Sequence, residues 1–215
     1  MSNYHTPVLL EEAIELLDIK EDGVYADLTF GGGGHSRRIL ESLGEKGRLY
    51  SFDQDSDTKA NAPEDSRFNY VESNFRFLRS ALRLRGVTEV DGILADLGVS
   101  SHHFDALPRG FSFRGEAPLD MRMSDVGITA AQLIEKLSVA ELADILRTYG
   151  DLKKANVLAA AIKNALPQTT FELRDLIYNP NDIAPVFQAL RIAVNDEMGE
   201  LERALSAVPK LLKKG

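Results

Sequence analysis

The run Gly23-Val24-Tyr25-Ala26-Asp27-Leu28-Thr29-Phe30-Gly31-Gly32-Gly33-Gly34-His35-Ser36 decides how this chain is read. Val24 to Leu28 is a short strand-like segment closing on an acid, a glycine turn follows, and His35 to Leu43 carries apolar residues at helical spacing. Strand, glycine turn and helix form the opening unit of an α/β sheet. The turn lets backbone N–H groups approach a ligand closely, and the helix N-terminus favours negative charge. The dinucleotide pattern G-x-G-x-x-G fails, because Ser36 and Arg37 stand where its third glycine would fall, and a G-K-[ST] phosphate loop is absent. Asp27 beside the turn repels a pyrophosphate but attracts a cationic amino group, which points to S-adenosylmethionine.

Outward from this unit the pattern repeats. Arg48 to Phe52 is a second strand closing at Asp53, Phe68 to Val71 a third, and Val90 to Ala95 a fourth closing at Asp96, with a helix over 75–84 between the last two. Asp53 lies about 20 residues past the glycines, where a doubly wound sheet places an acceptor for ribose hydroxyls. Phe75 after the third strand is positioned to pack on an adenine, or simply to fill the core. Asp96 closes the crevice from the fourth strand. Ahead of all this, Pro7 to Leu17 reads as a helix with Thr6 as its cap. Strands alternating with helices imply an α/β fold, a Rossmann-like, doubly wound parallel sheet.

After His103 the texture changes. Pro108 to Gly115 interleaves Arg109 and Arg114 with Phe111 and Phe113 among glycines, and Arg122 follows; such a mixture suits phosphate contacts and base stacking, with packing onto neighbouring helices as its rival. Thr129-x-x-Gln132, Ser138-x-x-Glu141 and Thr169-x-x-Glu172 are capping-box patterns, each opening a helical run. Leu142, Ile145, Leu146 and Tyr149 form one apolar stripe closed by Gly150. Phe187, Leu190, Val194, Met198, Leu201 and Leu205 form another, read as one long helix returning to the sheet. The expected division is 1–106 and 183–215 as the sheet domain, with 107–182 an inserted all-helical domain for substrate recognition.

Composition bounds the function. The chain has 215 residues, is 44% hydrophobic and holds no cysteine, which excludes disulfide scaffolds, thiolate metal sites and cysteine nucleophiles, and suits a reducing compartment, by default the cytoplasm. A net charge of −8 argues against broad affinity for nucleic acid, so a polyanion must be held by a local patch. No export signal or membrane span is read in the sequence. His102 and His103 are neighbours without metal-ligand spacing, and no metal site is expected. Ser100-Ser101 lack a nucleophile elbow, and Asp55 and Asp57 read as a solvated turn. Arg76, Arg79, Arg83 and Arg85 read first as a solvated helix face.

Taken together, His5-Thr6-Pro7-Val8-Leu9-Leu10, Asp27 to Ser36, Asp53-Gln54-Asp55, Ser73-Asn74-Phe75, Asp91 to Ser101, Arg109 to Phe113, Pro118 to Met123, Thr148-Tyr149-Gly150 and Phe187 to Ile192 resemble the ribosomal RNA small-subunit methyltransferase H family over nearly the whole chain. The resemblance implies a class I methyltransferase domain with an inserted helical domain, acting on N4 of a cytidine in 16S ribosomal RNA of the small subunit. It implies S-adenosylmethionine contacts at Gly33, Gly34, His35, Asp53, Phe75, Asp96 and His103, beside Asp27 and Gly31 of the turn; the family usually has Gln where His103 stands. Family members continue past Lys214-Gly215 with a strand bearing Ser-Phe-His-Ser-Leu-Glu-Asp-Arg, so the chain reads as lacking the closing strands, with strand four left as a bare apolar edge. Asp96, or a carbonyl of Leu97-Gly98-Val99, is the expected acceptor for the N4–H group. The rival readings are a methyltransferase for another amine and a non-catalytic RNA-binding or assembly factor on the same fold.

Overall fold

The computed structural model describes residues 9–98, 109–124 and 126–214. They divide into two compact units, Met1–Ser101 with Gly199–Gly215, and His102–Met198.

The first unit runs α1 (Leu10–Leu17), β1 (Val24–Asp27), α2 (Gly34–Ser42), β2 (Arg48–Asp53), a 3₁₀ turn (Ser56–Asn61), β3 (Phe68–Glu72), a second 3₁₀ turn (Phe75–Phe77), α3 (Leu78–Arg83) and β4 (Gly92–Leu94). The four strands are parallel in the order β3-β2-β1-β4. Successive side chains of a strand point to opposite faces, and here both faces are apolar, as a sheet covered on both sides requires. Ala26, Leu28, Tyr50, Phe52 and Val71 pack with Leu78, Ala81 and Leu82 on one side; Tyr25, Leu49 and Leu94 pack with Ile14, Ile39, Leu40 and Leu43 on the other. Parallel pairing sets Asp27 opposite Ser51 and Leu94, and Asp53 opposite Glu72, so the acids closing β1 and β2 emerge at one end of the sheet. The helix read from Pro7 begins at Leu10; its expected cap Thr6 lies outside the described residues.

The far side of the β4 segment is not bare along its whole length. Val90 donates its N–H to the Leu211 carbonyl at 2.8 Å and accepts from the Lys213 N–H at 3.0 Å, a parallel bridge centred on Leu212. The Lys213 ammonium also reaches Asp91 at 2.7 Å, on the carboxylate oxygen that takes the Val24 N–H. Backbone groups that a lone edge would leave to water are thus met at Val90 by the last described residues.

The second unit contains α4 (Ala130–Lys136), α5 (Val139–Gly150), α6 (Ala155–Ala165), α7 (Thr170–Asp175) and α8 (Ile183–Val194), and α9 (Glu197–Ala207) begins in it. Both halves of the capping box form at Thr129/Gln132 and Ser138/Glu141. At Thr169 only the hydroxyl half forms, because the Glu172 carboxylate accepts from the Gln168 N–H instead. The single long helix expected over 187–205 is two helices. Asp196 adopts φ 47°, Asn195 turns its amide onto the Met121 and Arg191 carbonyls, and Arg191 grips Glu197 across the break at 2.7 Å. Met198 and Leu205, counted in the expected stripe, are exposed, whereas Glu200 and Ala204 are buried. The boundary falls at 198/199 rather than 182/183, since Val186, Phe187, Ala189 and Leu190 of α8 are buried and the helix packs on α5.

No helix among the described residues is long and apolar enough to cross a membrane. Gly150 is where α5 and α8 approach: a Cβ there would lie 2.9 Å from the Pro185 carbonyl oxygen. Gly150→Ala is expected to lower stability by about 1–3 kcal/mol in urea unfolding, because the blocking atom is backbone and must shift. Unchanged stability would show that α8 draws back without cost.

Candidate active site

The site is built from β1 outward. Asp27 is fully buried, and its carboxylate accepts the Thr29 N–H at 3.1 Å and the Ser36 hydroxyl at 2.6 Å. Ser36 Oγ lies 2.7 Å from Ser51 Oγ, so one buried polar chain ties β1, the first turn of α2 and β2 together. Burial pushes the Asp27 carboxyl above its ordinary value, and the hydrogen bonds from Ser36 and Thr29 only partly offset this. An Asp27 carboxylate facing a cofactor's amino group, as the sequence implies, is therefore not what the structure displays; it faces into the sheet and anchors the turn.

The turn itself is held atom by atom. Phe30 N–H bonds the Phe52 carbonyl at 2.9 Å, Gly31 N–H bonds Asp53 Oδ2 at 2.8 Å, and Gly33 N–H returns to the Phe30 carbonyl at 2.7 Å. The Asn61 amide donates to the Gly31 carbonyl, and the Arg37 guanidinium donates to those of Gly32 and Asn61. Gly31 and Gly33 sit at φ 49° and 76°, and a Cβ on Gly33 would lie 2.8 Å from the Phe30 ring. Only glycine fits there without strain. Gly33 occupies the N-cap of α2 with no side-chain cap, so the first N–H groups of the helix, from Gly34 and His35, carry no protein side chain.

Asp53 accepts a second backbone bond, from Asp55 N–H at 2.9 Å, and is half-buried. Asp55 is not the solvated residue expected: it is 3% exposed and caps the 3₁₀ turn by accepting from Asp57 N–H, while Asp57 is exposed. Gln54 accepts from the Asn74 amide at 2.7 Å, and Ser73 N–H bonds the Asp53 carbonyl, which draws the segment ending at Phe75 beside Asp53. Phe75 is half-buried against the core residues of its sheet face. Asp96 is half exposed, its N–H bonded to Thr29 Oγ1 at 2.7 Å, and its carboxylate stands 4.0 Å from His35 Nδ1. Asp27, Gly31, Gly33, Gly34, His35, Asp53, Phe75 and Asp96 thus all belong to the C-terminal end of one sheet; His103 lies outside the described residues. Sequence reasoning missed Thr29, Ser51 and Asn61 as the groups that fasten the turn. Asn61 sits in a polar connection with no periodic signal, and only the fold brings it to Gly31.

In the helical unit the candidate aromatic loop takes a different part. Phe111 is 5% exposed, with the Arg109 guanidinium 6.0 Å from its ring centroid, and is too buried to stack on a base. Phe113 packs edge-on against Phe187 at 5.5 Å. Packing wins because leaving two rings in water forfeits their burial. Arg109 donates to the Arg122 carbonyl, and Arg122 clamps Asp120 with two nitrogens at 2.7 and 2.8 Å. Burial acts to raise the Asp120 carboxyl, yet these bonds outweigh it and leave it lowered. The Arg114 side chain is exposed. Among the described residues no group of His, Asp and Glu is arranged to hold a metal ion.

The donor set suits S-adenosylmethionine, a zwitterion. Open helix N–H groups and a Cβ-free turn offer a berth for a carboxylate, and acids at adjoining strand ends offer acceptors for hydroxyl and ammonium groups. A parallel sheet in the order 3-2-1-4 with this turn is a Rossmann-like fold. The chain belongs to the MraW methylase family, which matches residues 2–215. It is similar to proteins named ribosomal RNA small subunit methyltransferase H: from Parabacteroides distasonis, 48% identical over 227 residues, and from Bacteroides fragilis, 48% identical over 226, each alignment covering 100% of this chain and 74% of the relative. A crystal structure of a putative methyltransferase from Anabaena variabilis aligns over 98% of this chain and 94% of its own at 18% identity, with a TM-score of 0.35, too low to bear on the fold.

A carboxyl raised on folding contributes most below its ordinary value, and that contribution is lost as pH rises toward the folded value. Relative to Asp27→Asn, the parent chain is expected to lose unfolding free energy as pH rises from about 4 toward neutrality, measured by urea titration at several pH values. A difference that grows with pH would show that the Ser36 and Thr29 hydrogen bonds outweigh burial and hold the anion better than water does.

Proposed function

We propose that this protein transfers a methyl group from S-adenosylmethionine to N4 of a cytidine in 16S ribosomal RNA of the small subunit. The observation that carries the reading is the strand-end constellation of Gly33, Asp53 and Asp96 in a chain of the MraW methylase family whose relatives are named for ribosomal RNA. In this reading the backbone N–H groups of Gly34 and His35 receive the cofactor's carboxylate, Gly31 and Gly33 keep the turn free of Cβ atoms beside it, Asp53 accepts from its ribose, and Phe75 stands beside its adenine. Bound S-adenosylmethionine supplies a methyl group activated by a sulfonium.

Cytosine N4 is a poor nucleophile, since its lone pair is delocalised into the ring. Attack on the methyl carbon moves positive charge onto N4 as the carbon–sulfur bond breaks, and N4 must then release a proton. Asp96 is suited to receive it. Half exposed at the end of β4 and anchored through its own N–H to Thr29, it accepts the N4–H hydrogen bond as charge develops and then the proton. His35 faces Asp96 and helps orient it. Arg109, Arg114 and Arg122 are the candidate RNA contacts of the helical unit, with Arg114 the most accessible. A cytoplasmic location follows from the substrate.

Calorimetric titration of S-adenosylmethionine, followed by labelled methyl transfer to 16S RNA and to intact small subunits, tests the reading. Saturable binding is expected, weakened at least tenfold by Asp53→Ala, which also frees the Gly31 N–H. Asp96→Asn is expected to lower kcat about a hundredfold with a small change in KM. Cofactor binding with no transfer to either RNA substrate would overturn the catalytic reading in favour of an assembly factor; an unchanged kcat would remove Asp96 from the chemistry.

A further inference from the structure

The helix following β3 carries a surface that the cofactor site does not use. α3 buries Leu78, Ala81 and Leu82 against the sheet, which turns Arg76, Arg79, Ser80 and Arg83 outward. With Leu84 they line a shallow groove. In a chain of 33 acids and 25 bases, most guanidiniums have a carboxylate: Arg38 has Glu11, Arg67 Asp65, Arg122 Asp120, Arg147 Asp144, Arg174 Asp175 and Arg191 Glu197. Arg76 has Glu200 at 2.9 Å. Arg79 and Arg83 face the same groove one helical turn apart, about 6 Å along the axis, and neither guanidinium has an ion pair or hydrogen bond to another described residue. Two like charges at i and i+4 disfavour the helix that carries them, so local structure does not call for them.

We propose that this groove holds the sugar–phosphate backbone of a single RNA strand, with Arg79 and Arg83 as its phosphate contacts. The inference rests on the ribosomal RNA reading above and extends it to a surface outside the cofactor site. Charge complementarity names the occupant, and the apolar groups beside the charges refine it. Leu84 is 86% exposed and Phe77 is 48% exposed with the Arg76 guanidinium 4.5 Å from its ring centroid, a flat cationic and aromatic platform of the kind on which unpaired bases stack. Its place in the fold fits as well. The groove begins two residues past Asn74, whose amide is bonded to Gln54 beside Asp53, so a strand lying on α3 leads toward the strand ends that hold the site. Arg76, already held by Glu200, fixes the near end of the groove and is not counted as a phosphate contact.

The salt dependence of binding to protein-free 16S RNA tests the groove, for the parent chain and for Arg79→Gln with Arg83→Gln, with S-adenosylmethionine titration as the check on folding. Removing one phosphate-bound guanidinium from a single-strand site lowers the slope of log affinity against log salt by about 0.7, so the double variant is expected to show a slope about 1.4 shallower while cofactor affinity is unchanged. Arg38→Gln, whose guanidinium is already paired with Glu11, is expected to leave the slope as it is. A parent that binds RNA and a double variant with the same slope would overturn the groove and leave the substrate reading standing. A parent that binds cofactor but not protein-free RNA would overturn the groove, and one that also fails to bind intact small subunits would overturn the substrate reading as well. A double variant that binds intact subunits more weakly, yet protein-free RNA as well as the parent does, would assign the groove to a protein surface and overturn the proposal.

Discussion

Asp27 is a carboxylate with no exposure to water, placed where β1 ends, and it survives there because two groups from the following nine residues turn back to it. Burying such a group without partners costs several kcal/mol, so the Thr29 N–H and Ser36 hydroxyl are conditions of the fold and not ornaments on it. Ser36 can reach only if the chain reverses within the glycine turn and starts a helix at Gly34. Ser51 then extends the polar chain into β2. The shape of the turn, the first turn of α2 and the register of β1 on β2 are therefore one linked constraint. The open N–H groups of Gly34 and His35 at the start of α2 are its by-product, and the cofactor reading depends on them.

Asp53 shows how one side chain serves the fold and the site together. Its two carboxylate oxygens take backbone N–H groups from Gly31 and Asp55, so it clamps the turn of β1 and shapes the exit of β2 at once. Substitution there disturbs the loop along with any ligand contact, which is why the proposed roles of Asp53 and Asp96 are separable only by distinguishing binding from turnover. Asp96 carries less structural load. Its backbone is fixed by Thr29 while its carboxylate stays half exposed, the arrangement expected of a group that must meet a substrate.

The helical unit follows a different logic. The interleaved Arg and Phe of 109–114 read as a nucleic-acid surface in the sequence, yet the rings pack within the unit: Phe111 is buried and Phe113 meets Phe187. The outward-facing cationic groove is on α3 instead, in a stretch whose sequence reads equally well as an ordinary solvated face. Periodicity shows which side of a helix is polar, but not which charges find partners, because partners such as Glu200 for Arg76 come from 124 residues away.

What the sequence by itself determined was local and close-range. The acids closing three strands, the glycine turn that only small residues can make, the capping boxes at Thr129 and Ser138, and the alternation of strands and helices are all written in spacings of a few residues, where backbone geometry restricts the choices. The tertiary structure decided what depends on distant neighbours. It turned Asp27 inward, buried Asp55 and Phe111, divided the expected long helix at Asn195-Asp196, carried α8 into the helical unit and brought Leu212 to Val90. Each of these outcomes is a competition between burial and hydrogen bonding settled by atoms remote in sequence, such as Met121 for Asn195 and Ser51 for Ser36, and no local pattern encodes who those neighbours are.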